Sequence, residues 1–393
     1  MRKKRNGNIN ATEQSTCSSP RRNKGRQEGK QQGACEQVLF LWELKQVRLQ
    51  RTEELLNGWE NDSQYGDNHG LNELIRGNKV DVIVGGPPCQ AYSVAGRIRD
   101  EHGMQEDYRN YLFESYLKVV DYFKPKAFVF ENVPGILSAK PGDGTKKIID
   151  LIQEAFAKSG YAVLADLSKA VVDMSEYGVP QRRDRIIILG LSKVEFSENT
   201  DEMLNAFYQS ILPGHKTKKR TVRDAIGDLP VLLPLEEPIT ANGKKLSHSL
   251  PVPYVDSHIS RFHSQRDIQL FRKLEEDIAS KRNEYTSIER LKELYTELTG
   301  RKSNLHKYYV LRWNEQSNLI PAHLYKDGLR HIHPDPEQSR TITVREAARL
   351  QTFDDDFLFE CSQTDAFKMI GNAVPPLFAK CVADSLAELL ADA

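Results

Sequence analysis

Val80-Asp81-Val82-Ile83-Val84-Gly85-Gly86-Pro87-Pro88-Cys89-Gln90-Ala91-Tyr92-Ser93 is a short β-branched run that stops abruptly in two glycines, two prolines and a cysteine. It is too short and too rich in Val and Ile for a helix. Gly-Gly-Pro-Pro can neither continue a strand ladder nor begin a helix smoothly, so the spacing predicts a buried strand firing into a rigid loop. Cys89 is thereby presented at a strand's carboxyl end. In an open parallel sheet ligands bind along that edge, and consecutive prolines fix φ around the turn, so the backbone sets the position of the thiol. The competing reading is a small buried hydrophobe, the usual state of a free cysteine.

Two further stretches carry charge to strand ends. Ala127-Phe128-Val129-Phe130-Glu131-Asn132-Val133 is a second apolar strand, closed by a carboxylate. Gly178-Val179-Pro180-Gln181-Arg182-Arg183-Asp184-Arg185 is a guanidinium cluster running into Ile186-Ile187-Ile188-Leu189. With the period of two of a strand, Arg183 and Arg185 share one face, while Arg182 and Asp184 point away. The bland alternatives are an exposed edge strand with alternating charges for the arginines, and a helix-capping or salt-bridged acid for Glu131.

The 393 residues suffice for one large or two ordinary domains, each with a full core. Lys+Arg and Asp+Glu both number 55, and a neutral total does not argue against nucleic acid, because a polyanion responds to a local basic face. The five cysteines, at 17, 35, 89, 361 and 381, form no C-x-x-C pair, so neither a disulfide framework nor a metal site is expected. No run of 18 or more apolar residues occurs and the basic N-terminus lacks the apolar core of a signal peptide, so a soluble, cytoplasmic protein is expected.

Residues 1–37 read as a disordered basic tail, since 1–33 hold nine Lys/Arg against two Glu and almost nothing apolar. Val38 to Glu43 is a strand ending in an acid, of the kind that takes ribose hydroxyls in nucleotide-binding sheets. Leu44 to Leu56 reads as a helix stopped at Asn57-Gly58. Gly96 to Gly103 is polar and charged, as in a mobile loop over a site. Leu112, Tyr116, Val119, Val120 and Phe123 mark a helix face, with another helix from about Thr145 to Lys158 and strands around Val163 and Ile187. This alternation predicts a doubly wound sheet. After Leu191 the rhythm breaks into proline-rich segments, a long charged helical pattern from Gln265 to Leu298, and the basic run His215-Lys216-Thr217-Lys218-Lys219-Arg220, which is either a solvated face or a polyanion contact. Pro376 to Leu390 is an amphipathic helix.

Gly-Pro-Pro-Cys-Gln, Glu-Asn-Val and Gln-x-Arg-x-Arg, followed by Arg345-Glu346-Ala347-Ala348-Arg349-Leu350-Gln351 and Gly371-Asn372-Ala373-Val374-Pro375-Pro376, resemble in this order the DNA cytosine-5 methyltransferases, over roughly residues 36–393. The resemblance implies an α/β fold with a doubly wound, mostly parallel, Rossmann-like methyltransferase sheet and a smaller, irregular target-recognition domain. It sorts the chain into a catalytic domain (38–191), a target-recognition region (192–339) and a C-terminal segment (340–393) that returns to the catalytic domain. Carbon 5 of cytosine is too electron-poor to attack a methyl donor until a thiolate adds at carbon 6. Cys89 would be that thiolate, and Glu131 would hydrogen-bond ring nitrogen 3 and the exocyclic amine. By resemblance, Arg185 contacts the cytosine carbonyl and Arg183 supports a phosphate or the cysteine loop. The donor it implies is S-adenosylmethionine, with no metal. Asn372 would hold the methionine end, Pro88 and Leu112 would line the other side, Asp67 would meet the adenine and Glu43 the ribose.

Partners expected on this footing are duplex DNA and, functionally, a restriction endonuclease, with the chain itself a monomer. One departure stands out: no Phe-x-Gly-x-Gly turn precedes Val38, where the family brings its backbone close to the donor. The expectations drawn from it are weak donor binding and little activity for the chain as written. Two alternatives stay open, a DNA-binding relative with an impaired donor site and a nucleotide-dependent oxidoreductase on a similar sheet, and labelled methyl transfer to DNA separates the first from the enzyme.

Overall fold

The structure, a computed structural model, describes residues 38–40, 52–62, 66–87, 112–140, 145–241, 243–302 and 308–391. Contacts group these into two units, one within Lys30–Lys219 together with Leu377–Ala393, the other within Arg220–Pro376. The changeovers fall at 219/220 and 376/377, where the sequence reading drew its segments at 191/192 and 339/340.

In the first unit the strands are β1 (Val38–Phe40), β2 (Trp59–Asp62), β3 (Gly66–Asn68), β4 (Val82–Gly85), β5 (Ala127–Asn132), β6 (Tyr161–Val163), β7 (Val171–Asp173) and β8 (Asp184–Ser192). All but β2 and β3, which pair with each other, form one sheet in the order β1-β4-β5-β8-β6, with β7 also on β8. β1, β4 and β5 are parallel; β8 lies antiparallel to β5, and β6 and β7 lie antiparallel to β8. The sheet is therefore mixed, with β8 alone reversed. Physically, the connection 174–183 between β7 and β8 is too short for a crossover, which leaves only an antiparallel return.

Helices α1 (Thr52–Asn57), α2 (Gly70–Ile75), α3 (Leu112–Phe123) and α4 (Ile148–Lys158) accompany these strands. α1 ends at Gly58, whose φ of +83° only glycine adopts without strain. On α3 the buried positions include Phe113, Tyr116, Val119 and Val120, so Phe113 joins the expected face while Phe123 is only half-buried. The core is aromatic: Phe128 packs on Phe156 with centroids 4.4 Å apart, and the Tyr116 ring meets Phe128 and Phe130 edge-on. Phe128 lies opposite Gly190 in the ladder, and a Cβ there would fall 2.1 Å from its ring, so glycine is what lets this aromatic cross β8.

The second unit contains α5 (Val222–Ile226), the hairpin β9 (Pro234–Ala241) with β10 (Lys244–His248), α6 (Gln265–Ala279), α7 (Ile288–Thr299), α8 (Val344–Leu350) and α9 (Gln363–Asn372). The long helical pattern from Gln265 to Leu298 is two helices rather than one. Lys281 and Asn283 take positive φ between them, and the buried Asp277 carboxylate accepts the Glu284 and Tyr285 N–H groups at 2.9 and 3.0 Å, closing the turn. α5, α8 and α9 share one apolar core, and α6 and α7 share another. α10 (Pro376–Ala391) carries the chain into the first unit, where Phe378 packs edge-on against Tyr177.

Candidate active site

The parallel register of β4 and β5 and the antiparallel register of β5 and β8 bring three chain segments to one end of the sheet. Glu131 is the partner of Ile187 across the ladder, and alternation places Arg185, two residues before Ile187, on the same face. The diagonal neighbours meet: Arg185 Nε lies 2.9 Å from Glu131 Oε1, with the two side chains 11 and 12 % exposed. Arg185 Nη1 also donates to the Asp184 carbonyl at 2.8 Å. Burial alternates through the cluster, with Arg183 2 % exposed and Arg182 and Asp184 exposed. The Arg183 carbonyl accepts from the Met174 N–H at 3.0 Å, fixing the entry to β8. Both readings of Glu131 thus meet in one contact, for its ion-pair partner is itself a candidate site residue.

Asn132, 1 % exposed, ties this end to the loop after β4. Its Nδ2 donates to the Pro87 carbonyl at 3.2 Å, while its Oδ1 accepts the Val133 N–H at 2.9 Å. The backbone is thereby held two residues before Cys89. Cys89, Pro88 and Glu43 lie outside the described residues, as do residues 1–37 and the loop Gly96–Gly103. Leu112 opens α3, with its side chain outside the description; Asp67 is exposed on β3, and Asn372 is exposed as the last residue of α9. Its neighbour Gly371 has a packing reason, since a Cβ there would fall 2.3 Å from the backbone of Pro321 and Ala322. Among the described residues no group of three or more potential metal ligands occurs.

The other charged motif is built differently. Glu346, fully buried on α8, is gripped by both ends of the Arg340 guanidinium, each contact at 2.7 Å. It also accepts the Thr343 N–H at 2.7 Å within a capping box, and His333 Nε2 lies 3.5 Å away. Burial alone would raise the Glu346 carboxyl, yet Arg340 holds it far below its usual range. Arg345, with no exposed surface, donates to the carbonyls of Asp256, Asp354 and Phe357, and Arg349 pairs with Asp355 at 2.7 Å. A cavity of about 290 Å³ opens beside this cluster between Trp313, Arg223 and Asp335. Its buried polar groups, Glu346, Arg340, Gln338 and His333, already bond to one another or to their neighbours. The Arg-Glu-Ala-Ala-Arg run therefore braces the second unit.

Sequence reasoning passed over two of these residues. Asn132 carried a usable signal, being the polar residue that follows Glu131 at the strand end. Glu346 carried a clearer one, since Thr343-x-x-Glu346 has the spacing of a capping box. In the basic run, Lys216 pairs with Glu176 at 2.6 Å and Lys219 with Asp173 at 2.9 Å, so these two cations strap the run to the turn after β7.

A model of the C-5 cytosine-specific DNA methylase family matches residues 56–388. The type II methyltransferase M.Bpa9945I of Bacillus paralicheniformis is 40% identical over 340 residues, covering 81% of this chain and 72% of that protein. M.AgeI of Thalassovita gelatinovora, also a type II methyltransferase, is 31% identical over 370 residues, covering 78% and 83%. Among solved structures, a prophage-encoded DNA modification methyltransferase from E. coli shares the fold at a TM-score of 0.52 and 23% identity, over 81% of this chain and 82% of that one.

Proposed function

The chain belongs to the C-5 cytosine-specific DNA methylases, and on that footing we propose that it transfers a methyl group from S-adenosylmethionine to carbon 5 of a cytosine swung out of duplex DNA at one specific sequence, protecting DNA beside a restriction endonuclease. The observation that carries the reading is the Glu131–Arg185 pair, set at the sheet end where Asn132 holds the loop leading to Cys89. A base inside a duplex hides carbon 6, so the nucleotide must leave the stack before a thiolate can reach it.

Cys89 forms the bond to carbon 6, which pushes electron density onto carbon 5 and ring nitrogen 3. Glu131 hydrogen-bonds the nitrogen 3 edge and the amine, and Arg185 takes the ring carbonyl, so charge that develops on addition meets a fixed dipole and a fixed cation. Arg183 would support a phosphate or the cysteine loop. Once carbon 5 is methylated, a base such as a water molecule takes its proton, the freed electron pair re-forms the carbon 5–carbon 6 double bond, and the carbon 6–sulfur bond breaks to restore the thiolate. The donor supplies the methyl group; by resemblance Glu43, Asp67, Pro88, Leu112 and Asn372 would hold it. Residues 192–339 would read the target sequence.

Cys89→Ser should abolish labelled methyl transfer while DNA binding persists, because a hydroxyl is a far poorer nucleophile near neutral pH. DNA with 5-fluorocytosine at the target should form a covalent adduct with the unaltered chain and none with the variant; turnover by Cys89→Ser would overturn the mechanism. Binding to DNA without any transfer by the unaltered chain would favour the impaired relative instead.

A further inference from the structure

Along its outer edge β8 has two short partners and a gap. β7 pairs with residues 184–186 and β6 with 190–192, and among the described residues no strand pairs with 187–189 on that side, although all three are buried. A single phenol bridges the gap: the Tyr208 hydroxyl donates to the Ile187 carbonyl at 2.7 Å and accepts the Leu189 N–H at 2.8 Å. One side chain thus does for the middle of β8 what a strand does at either end. Tyr208 lies in the π-helical turn Phe207–Ile211, a wide turn that is rare in proteins and recurs where an irregular register aims a side chain.

The place of the bridge matters because Ile187 is the ladder partner of Glu131 and lies two residues from Arg185. A carbonyl and an N–H left without a partner in a buried strand pull toward water or twist the strand, and a shift of a few tenths of an ångström at Ile187 moves Arg185 against Glu131 directly. We propose that Tyr208 is a positioning residue for methyl transfer, setting β8 so that the Arg185 guanidinium and the Glu131 carboxylate keep their mutual register. This rests on the reading of Glu131 and Arg185 as the groups that meet the cytosine ring.

The fold supplies its own control. Tyr161, also buried and also donating its hydroxyl to a backbone carbonyl, that of Pro125 at 2.9 Å, belongs to β6 and pairs with Ser192 at the opposite end of β8. Both Tyr→Phe changes keep the ring and its packing. Tyr208→Phe should lower kcat for methyl transfer roughly tenfold with KM for DNA little changed, as expected when reacting groups are slightly misplaced rather than when binding is lost. Tyr161→Phe should stay within about twofold. Amide exchange at Leu189 should accelerate in Tyr208→Phe alone, showing that the bridge was present. Equal rates for the two variants, or a Tyr208→Phe loss confined to KM, would overturn the inference and leave the site reading standing, provided Glu131→Gln measured beside them is impaired. An unimpaired Glu131→Gln, or no transfer by the unaltered chain, would overturn both.

Discussion

Two carboxylate–guanidinium pairs, one in each unit, show what a buried ion pair is for. Glu346 and Arg340 leave 1 % of either side chain exposed, and the carboxylate accepts both guanidinium ends and the Thr343 N–H, with His333 Nε2 3.5 Å away. The remaining guanidinium hydrogens go to Gln338 and the Thr341 carbonyl. Such a pair has no capacity left for a ligand. Glu131 and Arg185 meet through one 2.9 Å contact at the rim of a sheet and keep about a tenth of each side chain open to solvent. Attraction between the charges is similar in kind; what separates a brace from a site is whether acceptor and donor positions remain unspent after folding.

The largest expected effect tests the brace. Glu346→Gln leaves Arg340 buried without a counter-charge, which costs about 3–5 kcal/mol. In urea unfolding, protection in the second unit should collapse at a lower denaturant concentration, and a variant as stable as the parent would dissolve the contrast. Next comes the site. Glu131→Gln keeps shape and one acceptor but loses the charge, and should lower transfer by about 10²-fold with a smaller loss of stability than Glu346→Gln, because Arg185 reaches solvent where Arg340 does not. A drop in stability matching that of Glu346→Gln would make both pairs braces.

Acid should separate the units more gently. Burial holds His248 and His331 down at about 4, and His263 and His333 at about 3, with Arg340 adding to the effect on His333. Their folded values lie below the ordinary 6.5, so the unfolded chain binds more protons. The stability they confer is complete above about pH 6.5 and declines as pH falls from there toward 4. The first unit has Asp173 as its comparable group, lowered by Lys219 and Ser175 against the pull of burial, and that contribution fades only below the ordinary carboxylate value of 3.8. Between pH 7 and 5, protection of amides against exchange, taken relative to their intrinsic rates at each pH, should therefore fall in 220–376 before it does in β4, β5 and β8; simultaneous loss would contradict this.

The smallest effect concerns the basic run. Replacing Lys216 and Lys219 with Ala breaks two half-exposed pairs and should cost no more than about 1 kcal/mol. If the run also touches DNA, the salt dependence of binding should weaken by about two counterions, and an unchanged slope would assign the run to the strap alone.

Local signals made the strands legible. Val82–Gly85, Ala127–Asn132 and the strand after Arg183 stood out because β-branched and aromatic runs ended by Gly, Pro or a charge have no other regular conformation available. The order of motifs was enough to name the family. The single helical pattern from Gln265 to Leu298 was misleading, because periodicity continues through a break when both helices face the same kind of core; the break is made by Asp277, one carboxylate among many in that stretch.

By itself the sequence determined which residues are candidates, since Cys89, Glu131 and the arginines follow or precede β-branched and aromatic runs beside turn residues close to them in the chain. Only the tertiary structure decided which charges meet. Glu131 and Arg185 are joined by a register between strands more than fifty positions apart, Asn132 finds Pro87 across a parallel pair, and Tyr208 fills a gap that exists only because β6 and β7 each stop short. Such contacts depend on strand order and direction, and a reversed β8 could not be read from local preference, because an extended run has the same propensity whichever way it points.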